Sequence, residues 1–192
     1  MASSFFSMIF RMKYINRWGL MRNTQPEYLS QHSLEVAVIA HALGTIRNRR
    51  FGGNIDVDHL AVIGMFHDVS EIITGDLPTP IKYHNDEIKT AYKKVEKSAC
   101  ERLIQLLPED LRDSYSDVLI PNAVTSDELA LIKAADKLSA LIKCIDEERA
   151  GNKEFSNAKS AQENSLLQMD IPEVKVFMDE FIGAFYKTLD EQ

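Results

Sequence analysis

Apolar residues recur along this chain at steps of three and four, and no stretch sustains the alternation of a half-buried strand, so the pattern predicts helices with few or no strands. The run Phe5-Phe6-Ser7-Met8-Ile9-Phe10 reads as a first, partly buried helix. Asn23-Thr24-Gln25-Pro26 reads as a loop, after which Ser30 offers an N-cap for a second helix to about Arg47. On that helix Leu34, Ala37, Val38, His41, Ala42 and Thr45 follow helical spacing, which predicts His41 as a core or supporting histidine. Phe51-Gly52-Gly53-Asn54 breaks the chain, Asp56 can cap, and a third helix is expected to run to about Thr74, where Gly75 stops it. Pro78 and Pro80 block its immediate resumption.

Ile88, Tyr92, Val95, Ala99 and Leu103 form a stripe over Asp86 to Leu107, the mark of an amphipathic helix lying on the surface. Pro108 to Ala123 carries only short helix or loop signals. Thr125-Ser126-Asp127-Glu128 has the form of a capping box and opens an apolar helix to about Arg149. After a break at Gly151-Asn152 and a weakly patterned segment, Asp170-Ile171-Pro172-Glu173 starts a last helix carrying Val174, Phe177, Met178, Phe181 and Phe185.

Composition narrows the classes. The 192 residues, 45% hydrophobic and 27% charged, suit one soluble globular domain spanning 1–192. A net charge of −7 works against binding to nucleic acid, which needs a basic face. Cys100 and Cys144 are too few and too isolated for a disulfide framework, so a reducing cytoplasm is expected. The first apolar run lacks a preceding basic region and ends at Arg11 and Lys13, unlike a signal peptide, and no stretch has the length of a membrane span.

The chemistry concentrates at His67-Asp68, with Glu71 and then Gly75-Asp76-Leu77-Pro78-Thr79-Pro80. On one continuous helix Leu60, Gly64, His67, Asp68 and Glu71 would share a face, so an imidazole and two carboxylates could meet in one cavity. A bare His-Asp pair is common by chance, with a core histidine beside a surface aspartate as the plain alternative. Asp136, among Leu129, Ile132 and Ala140, should be at least partly buried, and a buried carboxylate needs a partner. Lys133 or Lys137 could serve; a divalent ion shared with other N and O ligands would satisfy it better. His32 supplies an earlier imidazole. His41, nine residues on, points about half a turn away and cannot share its site.

The order His32, His67-Asp68, Asp136 resembles the HD-domain metal-dependent phosphohydrolases. Arg17-Trp18, Ser30-Gln31-His32-Ser33, His67-Asp68-Val69-Ser70-Glu71, the GDLPTP run and Ala135-Asp136-Lys137-Leu138 are, more narrowly, similar to bacterial YfbR-type 5′-deoxynucleotidases over nearly the whole chain. The resemblance implies an all-α HD-domain bundle of about six or seven helices and a homodimer. It also implies one divalent metal, Co, Mn or another transition metal, held by His32, His67, Asp68 and Asp136. The implied reaction converts deoxyribonucleoside 5′-monophosphates to deoxynucleoside and phosphate. Glu71 is then the catalytic carboxylate, as base, acid or water-orienting group. Arg17 grips the phosphate, His32, Asp68 and Asp136 border the substrate, and Trp18 leaves no room for a 2′-hydroxyl. Asp76 accepts from the 3′-hydroxyl, and Leu77, Pro78 and Thr79 shape the same wall.

No motif reads a base edge, so several bases should be tolerated. Residues 114–124 carry no transferable motif, and Pro121 offers no polar side chain there. Two alternatives stay open on sequence alone: an HD hydrolase of another phosphoester, such as a cyclic nucleotide, an alarmone or a dNTP, and a metal-stabilised helical binding protein without turnover.

Overall fold

The structure, a computed structural model, describes residues 2–82, 84–120 and 124–192. Pro121 and the C-terminal end of the mixed segment at Ala123 therefore lie outside the described residues, as does the side chain of Thr79. The described residues form α1 (Phe5–Ile9), α2 (Leu29–Arg50), α3 (Val57–Phe66), α4 (Glu71–Thr74), α5 (Thr79–Lys82), α6 (Asp86–Gln105), α7 (Arg112–Leu119), α8 (Ser126–Arg149), α9 (Ser156–Gln168) and α10 (Pro172–Glu180). Short 3-10 turns join several of them. Seven of these helices have eight or more residues, and the single-turn segments α4 and α5 together with α1 raise the total above six or seven. Among the described residues the extended pairing is one isolated antiparallel bridge, Asn16 to Tyr28.

The caps follow the side-chain chemistry. The Asp56 carboxylate accepts from His59 N–H at 3.0 Å, and Thr125 and Glu128 exchange both bonds of a capping box. Helix α2 starts earlier than Ser30 predicts, because the Gln31 side chain accepts from Tyr28 N–H at 2.9 Å and draws the turn back to Leu29. Pro172 opens α10, where its missing N–H costs nothing.

Two expectations are corrected. The third helix does not continue to Thr74: α3 ends at Phe66, residues 67–70 form a turn, and α4 is a separate single turn. Bonds from Val69 N–H to Phe66 C=O and from Glu71 N–H to Asp68 C=O span three residues rather than four, so the chain tightens at His67-Asp68. Gly75 does end α4, at φ +73°. Beyond it α5 resumes at once for a single turn, because Pro80 stands in the first turn of a helix, where no N–H is needed.

Helix α2 lies at the centre, packed on α3 and α8. Val36, Ile39, Ala40, Leu43 and Ile46 are buried there, with Leu60, Leu131, Leu138, Leu141 and Ile145 from the two neighbours. The stripe read from the sequence is mostly the outer one: Leu34 and Val38 are exposed, and His41 lies half-exposed beside Asp58 rather than in the core. A helix apolar on more than one side does not announce which side its neighbours will cover. A second cluster joins Phe5, Leu29 and Val69 to Leu103 and Leu107. His32 lies on α2 between the residues that feed the two clusters. Among the described residues no helix is long and apolar enough to cross a membrane.

Candidate metal centre

Three elements deliver four side chains able to hold a metal to one point. His32 comes from the second turn of α2, His67 and Asp68 from the tight turn after α3, and Asp136 from the middle of α8. One ligating atom from each lies within 4.8 Å of all the others. His32 Nε2 is 3.1 Å from Asp136 Oδ1 and 3.8 Å from Asp68 Oδ2, and His67 Nε2 is 3.0 Å from Asp68 Oδ2. Asp136 faces His32 and Arg17, which removes Lys133 and Lys137 as the partners that would explain it.

The imidazoles are oriented from behind. His67 Nδ1–H donates to the carbonyl of Gly64 at 2.7 Å. His32 Nδ1 lies 3.0 Å from Ser139 Oγ, whose own proton goes to Glu35 Oε2 at 2.7 Å, so the serine accepts and the imidazole donates. Both rings thus carry hydrogen on Nδ1 and turn Nε2 inward, the orientation a metal-ligating histidine needs. Both Nε2 atoms are buried without a hydrogen-bond partner. Two unsatisfied imidazole nitrogens beside two carboxylates fit a divalent transition ion by donor type, number and spacing.

The surrounding charge points the same way. Burial opposes ionisation of His32, yet the carboxylates of Asp136 and Glu27 raise its pKa to about 9. Burial also opposes the Asp68 carboxylate, which the charges of His67, Arg17 and His32 nonetheless hold far below the usual carboxylate range. Such carboxylates draw in any positive charge available.

Arg17, buried over most of its side chain, reaches the rim of the cluster, with NH1 3.4 Å from Asp68 Oδ2 and NH2 3.9 Å from Asp136 Oδ1. Glu71 is almost fully buried, and its Oε2 has no hydrogen-bond partner. Burial, with the charges of Asp68 and Asp76 nearby, pushes its pKa to about 9. Its nearest cation is Lys82 Nζ at 4.0 Å.

Of the other residues singled out by sequence, Trp18 is half-buried against Phe155, with ring centroids 5.3 Å apart, in the left-handed region at φ +58°. Burial raises the pKa of Asp76, and the nearby Trp18 backbone N–H offsets part of that rise. Leu77 and Pro78 are half-buried in the link from α4 to α5.

Sequence reasoning missed Glu27, Ser139 and Glu35. Ser139 follows Asp136 by three residues, as Glu35 follows His32, so helical spacing could have placed both beside the ligands. Glu27 gives no such signal, because it reaches the site through a non-local hairpin.

An all-α bundle that closes His, His-Asp and Asp around one point defines an HD-domain phosphohydrolase. Solved structures agree on the fold. The crystal structure of a HD-domain phosphohydrolase, lin2634, from Listeria innocua superposes with a TM-score of 0.82 at 23% identity, covering 95% of this chain and 88% of that one. The cyanophage S-2L HD phosphohydrolase DatZ, bound to dA and one catalytic Zn2+ ion, gives 0.64 at 19% identity, with 97% and 96% covered. The 5′-deoxynucleotidase YfbR-like family model matches residues 4–185, and the chain belongs to that family. It is 49% identical to 5′-deoxynucleotidase YPTB2590 of Yersinia pseudotuberculosis, covering 98% of this chain and 96% of the relative. It is 46% identical to 5′-deoxynucleotidase YfbR of Shigella dysenteriae, covering 98% and 95%.

Proposed function

We propose that this 5′-deoxynucleotidase acts as a single domain on deoxyribonucleoside 5′-monophosphates of several bases at the centre formed by His32, His67, Asp68 and Asp136. The observation that carries the site assignment is the pair of buried, unpartnered Nε2 atoms facing two carboxylates inside a 4.8 Å cluster. One divalent transition ion, Co or Mn being the first to test, suits this N2O2 donor set. The dA and single Zn2+ held by DatZ support a one-ion site beside a deoxynucleoside. When bound, the ion supplies positive charge and Lewis acidity next to the phosphate.

The chain's own groups do the rest. Arg17 is permanently charged, and its fork can take two phosphate oxygens, offsetting their charge as the P–O bond changes. Water adds to phosphorus, the P–O5′ bond breaks, the water loses a proton and O5′ gains one. Glu71 is the group we assign to both proton transfers. Burial keeps its pKa high, and positive charge at the neighbouring ligands would lower it toward neutrality, where exchange in both directions is easy. Trp18 borders the sugar and disfavours a 2′-hydroxyl, Asp76 receives the 3′-hydroxyl, and Leu77 and Pro78 complete that wall.

Two free, buried cysteines suit a reducing cytoplasm, and a homodimer is the assembly we assign. Purified protein with Mn or Co should release phosphate from dAMP, dGMP, dCMP and dTMP and little from AMP. Equal rates on dAMP and AMP would remove the role of Trp18. Phosphate release only from a cyclic nucleotide, an alarmone or a dNTP would replace the substrate assignment.

A further inference from the structure

Glu27 is a buried carboxylate with no place in the mechanism above, and it touches three residues that have one. Its Oε2 accepts the Trp18 indole N–H at 2.5 Å. Its Oε1 lies 3.4 Å from Arg17 Nε and 3.4 Å from His32 Nδ1. The backbone repeats the connection, since Arg17 N–H donates to Glu27 C=O at 2.9 Å and the Asn16 to Tyr28 bridge flanks that bond. Arg17-Trp18 and Glu27 therefore face each other across a hairpin.

Trp18 needs such a hold. Its backbone sits at φ +58°, a region bulky side chains rarely occupy. That conformation persists only where surrounding contacts over-determine it, and such strain gathers at functional sites. Met21 N–H and Asn23 Nδ2 bind its carbonyl, and Phe155 packs on the ring. A ring held by packing alone can still slide or tilt. The directional bond from Nε1 to Glu27 is the contact that fixes its rotation.

We propose that Glu27 is a positioning residue for sugar discrimination, locking the Trp18 indole against the ribose site and aiming Arg17 at the phosphate. The inference rests on the reading of Trp18 as the wall that disfavours a 2′-hydroxyl. Carboxylate and amide at this position should differ in an informative way. In Glu27→Gln the amide oxygen can still accept from Trp18 Nε1, but its NH2 group then confronts Arg17 Nε–H and His32 Nδ1–H, donor against donor. In Glu27→Ala both functions go.

Trp18 is the only tryptophan in the chain, so fluorescence excited selectively at tryptophan reports on this ring alone. Emission and acrylamide quenching would be measured for wild type, Glu27→Ala and Glu27→Gln, and KM and kcat/KM for dAMP and AMP at saturating Mn for these three and Trp18→Ala. Glu27→Ala should shift the emission, increase quenching, and cut the dAMP-to-AMP ratio at least tenfold, toward that of Trp18→Ala. Glu27→Gln should keep the ratio within about threefold of wild type while its KM for dAMP rises about tenfold. A Glu27→Ala protein with unchanged quenching, or with an unchanged ratio where Trp18→Ala lowers it, overturns the proposal. A flat ratio in Trp18→Ala itself removes the sugar reading instead, and the selectivity role of Glu27 with it. Should Glu27→Ala not fold, Glu27→Gln decides, and an unchanged KM for dAMP overturns the proposal.

Discussion

His67 Nδ1–H is bonded to the carbonyl oxygen of Gly64, one helical turn upstream, at 2.7 Å. The same glycine is where α3 presses on α2. A Cβ at Gly64 would lie 3.2 Å from Ala37 Cα and 3.4 Å from Val36 O, both backbone atoms that cannot swing aside. The residue that lets two helices approach thus also orients the imidazole we assign to the metal.

Gly64→Ala should therefore injure stability and site together. Overpacking of this kind costs about 1–3 kcal/mol, of which the better helix propensity of alanine returns at most about 1. The melting temperature should fall by a few degrees, and metal content after dialysis should drop, because Gly64 O moves with α3. Unchanged melting and unchanged metal content would show that α2 and α3 separate there at no cost.

Glu71→Gln should lower kcat by about 10²- to 10⁴-fold, the usual contribution of a general acid or base. Metal stoichiometry should stay at the wild-type value, since Glu71 lies outside the four-atom cluster. The melting temperature should hold or rise slightly, because the amide removes a buried acid that stands near Asp68 and Asp76. Turnover within threefold of wild type would reassign the proton transfers to another group.

The four residues that the structure brings together were legible because each stands out alone: a carboxylate inside an apolar helix at Asp136, an adjacent His67-Asp68, a histidine at position 32. The break at 67–70 was not. A spacing of four residues from His67 to Glu71 looks the same whether the helix continues or tightens into three-residue bonds, and only packing decides. Helix α2 hid its buried face for a related reason, since Leu34 and Val38 are as apolar as Val36 and Leu43, and only the approach of α3 and α8 selects between them. Glu27 was invisible because a hairpin brings it to Arg17 and Trp18, and no local period records a hairpin between helices.

Chelation should abolish activity and also destabilise the fold. An ion at a hundred times its Kd stabilises by about 2.7 kcal/mol, and removing it leaves the carboxylates of Asp68 and Asp136 with only the Arg17 guanidinium at the rim to offset their repulsion. For a domain of this size that corresponds to a fall of roughly 5–10 °C in melting temperature, reversed by Mn or Co. His67→Ala should melt at the same temperature with and without added metal. A metal-dependent shift that survives in His67→Ala would place the ion elsewhere.

Glu147, buried near the end of α8, anchors the loop that carries Arg17 and Trp18. It accepts from the backbone N–H groups of Thr24 and Gln25 at 2.8 and 3.1 Å and from Asn152 Nδ2 at 2.7 Å, and Lys143 Nζ is paired with it. Burial alone would raise its pKa, but the bonds from Lys143, Asn152 and the two backbone amides hold it at about 2, against an ordinary value of 4.5. A folded-state pKa below the unfolded one means stabilisation that is complete above about pH 4.5 and is lost as the pH falls through about 2. Its size is on the order of 2 kcal/mol. Glu147→Gln keeps one acceptor but leaves Lys143 buried and unpaired, so it should melt lower than wild type at pH 7, and the gap should narrow from pH 5 to pH 3. Because the loop is the lever, KM for dAMP should rise as well. A gap in melting temperature that stays constant across that pH range would show that the ionised carboxylate is not what holds the loop to α8.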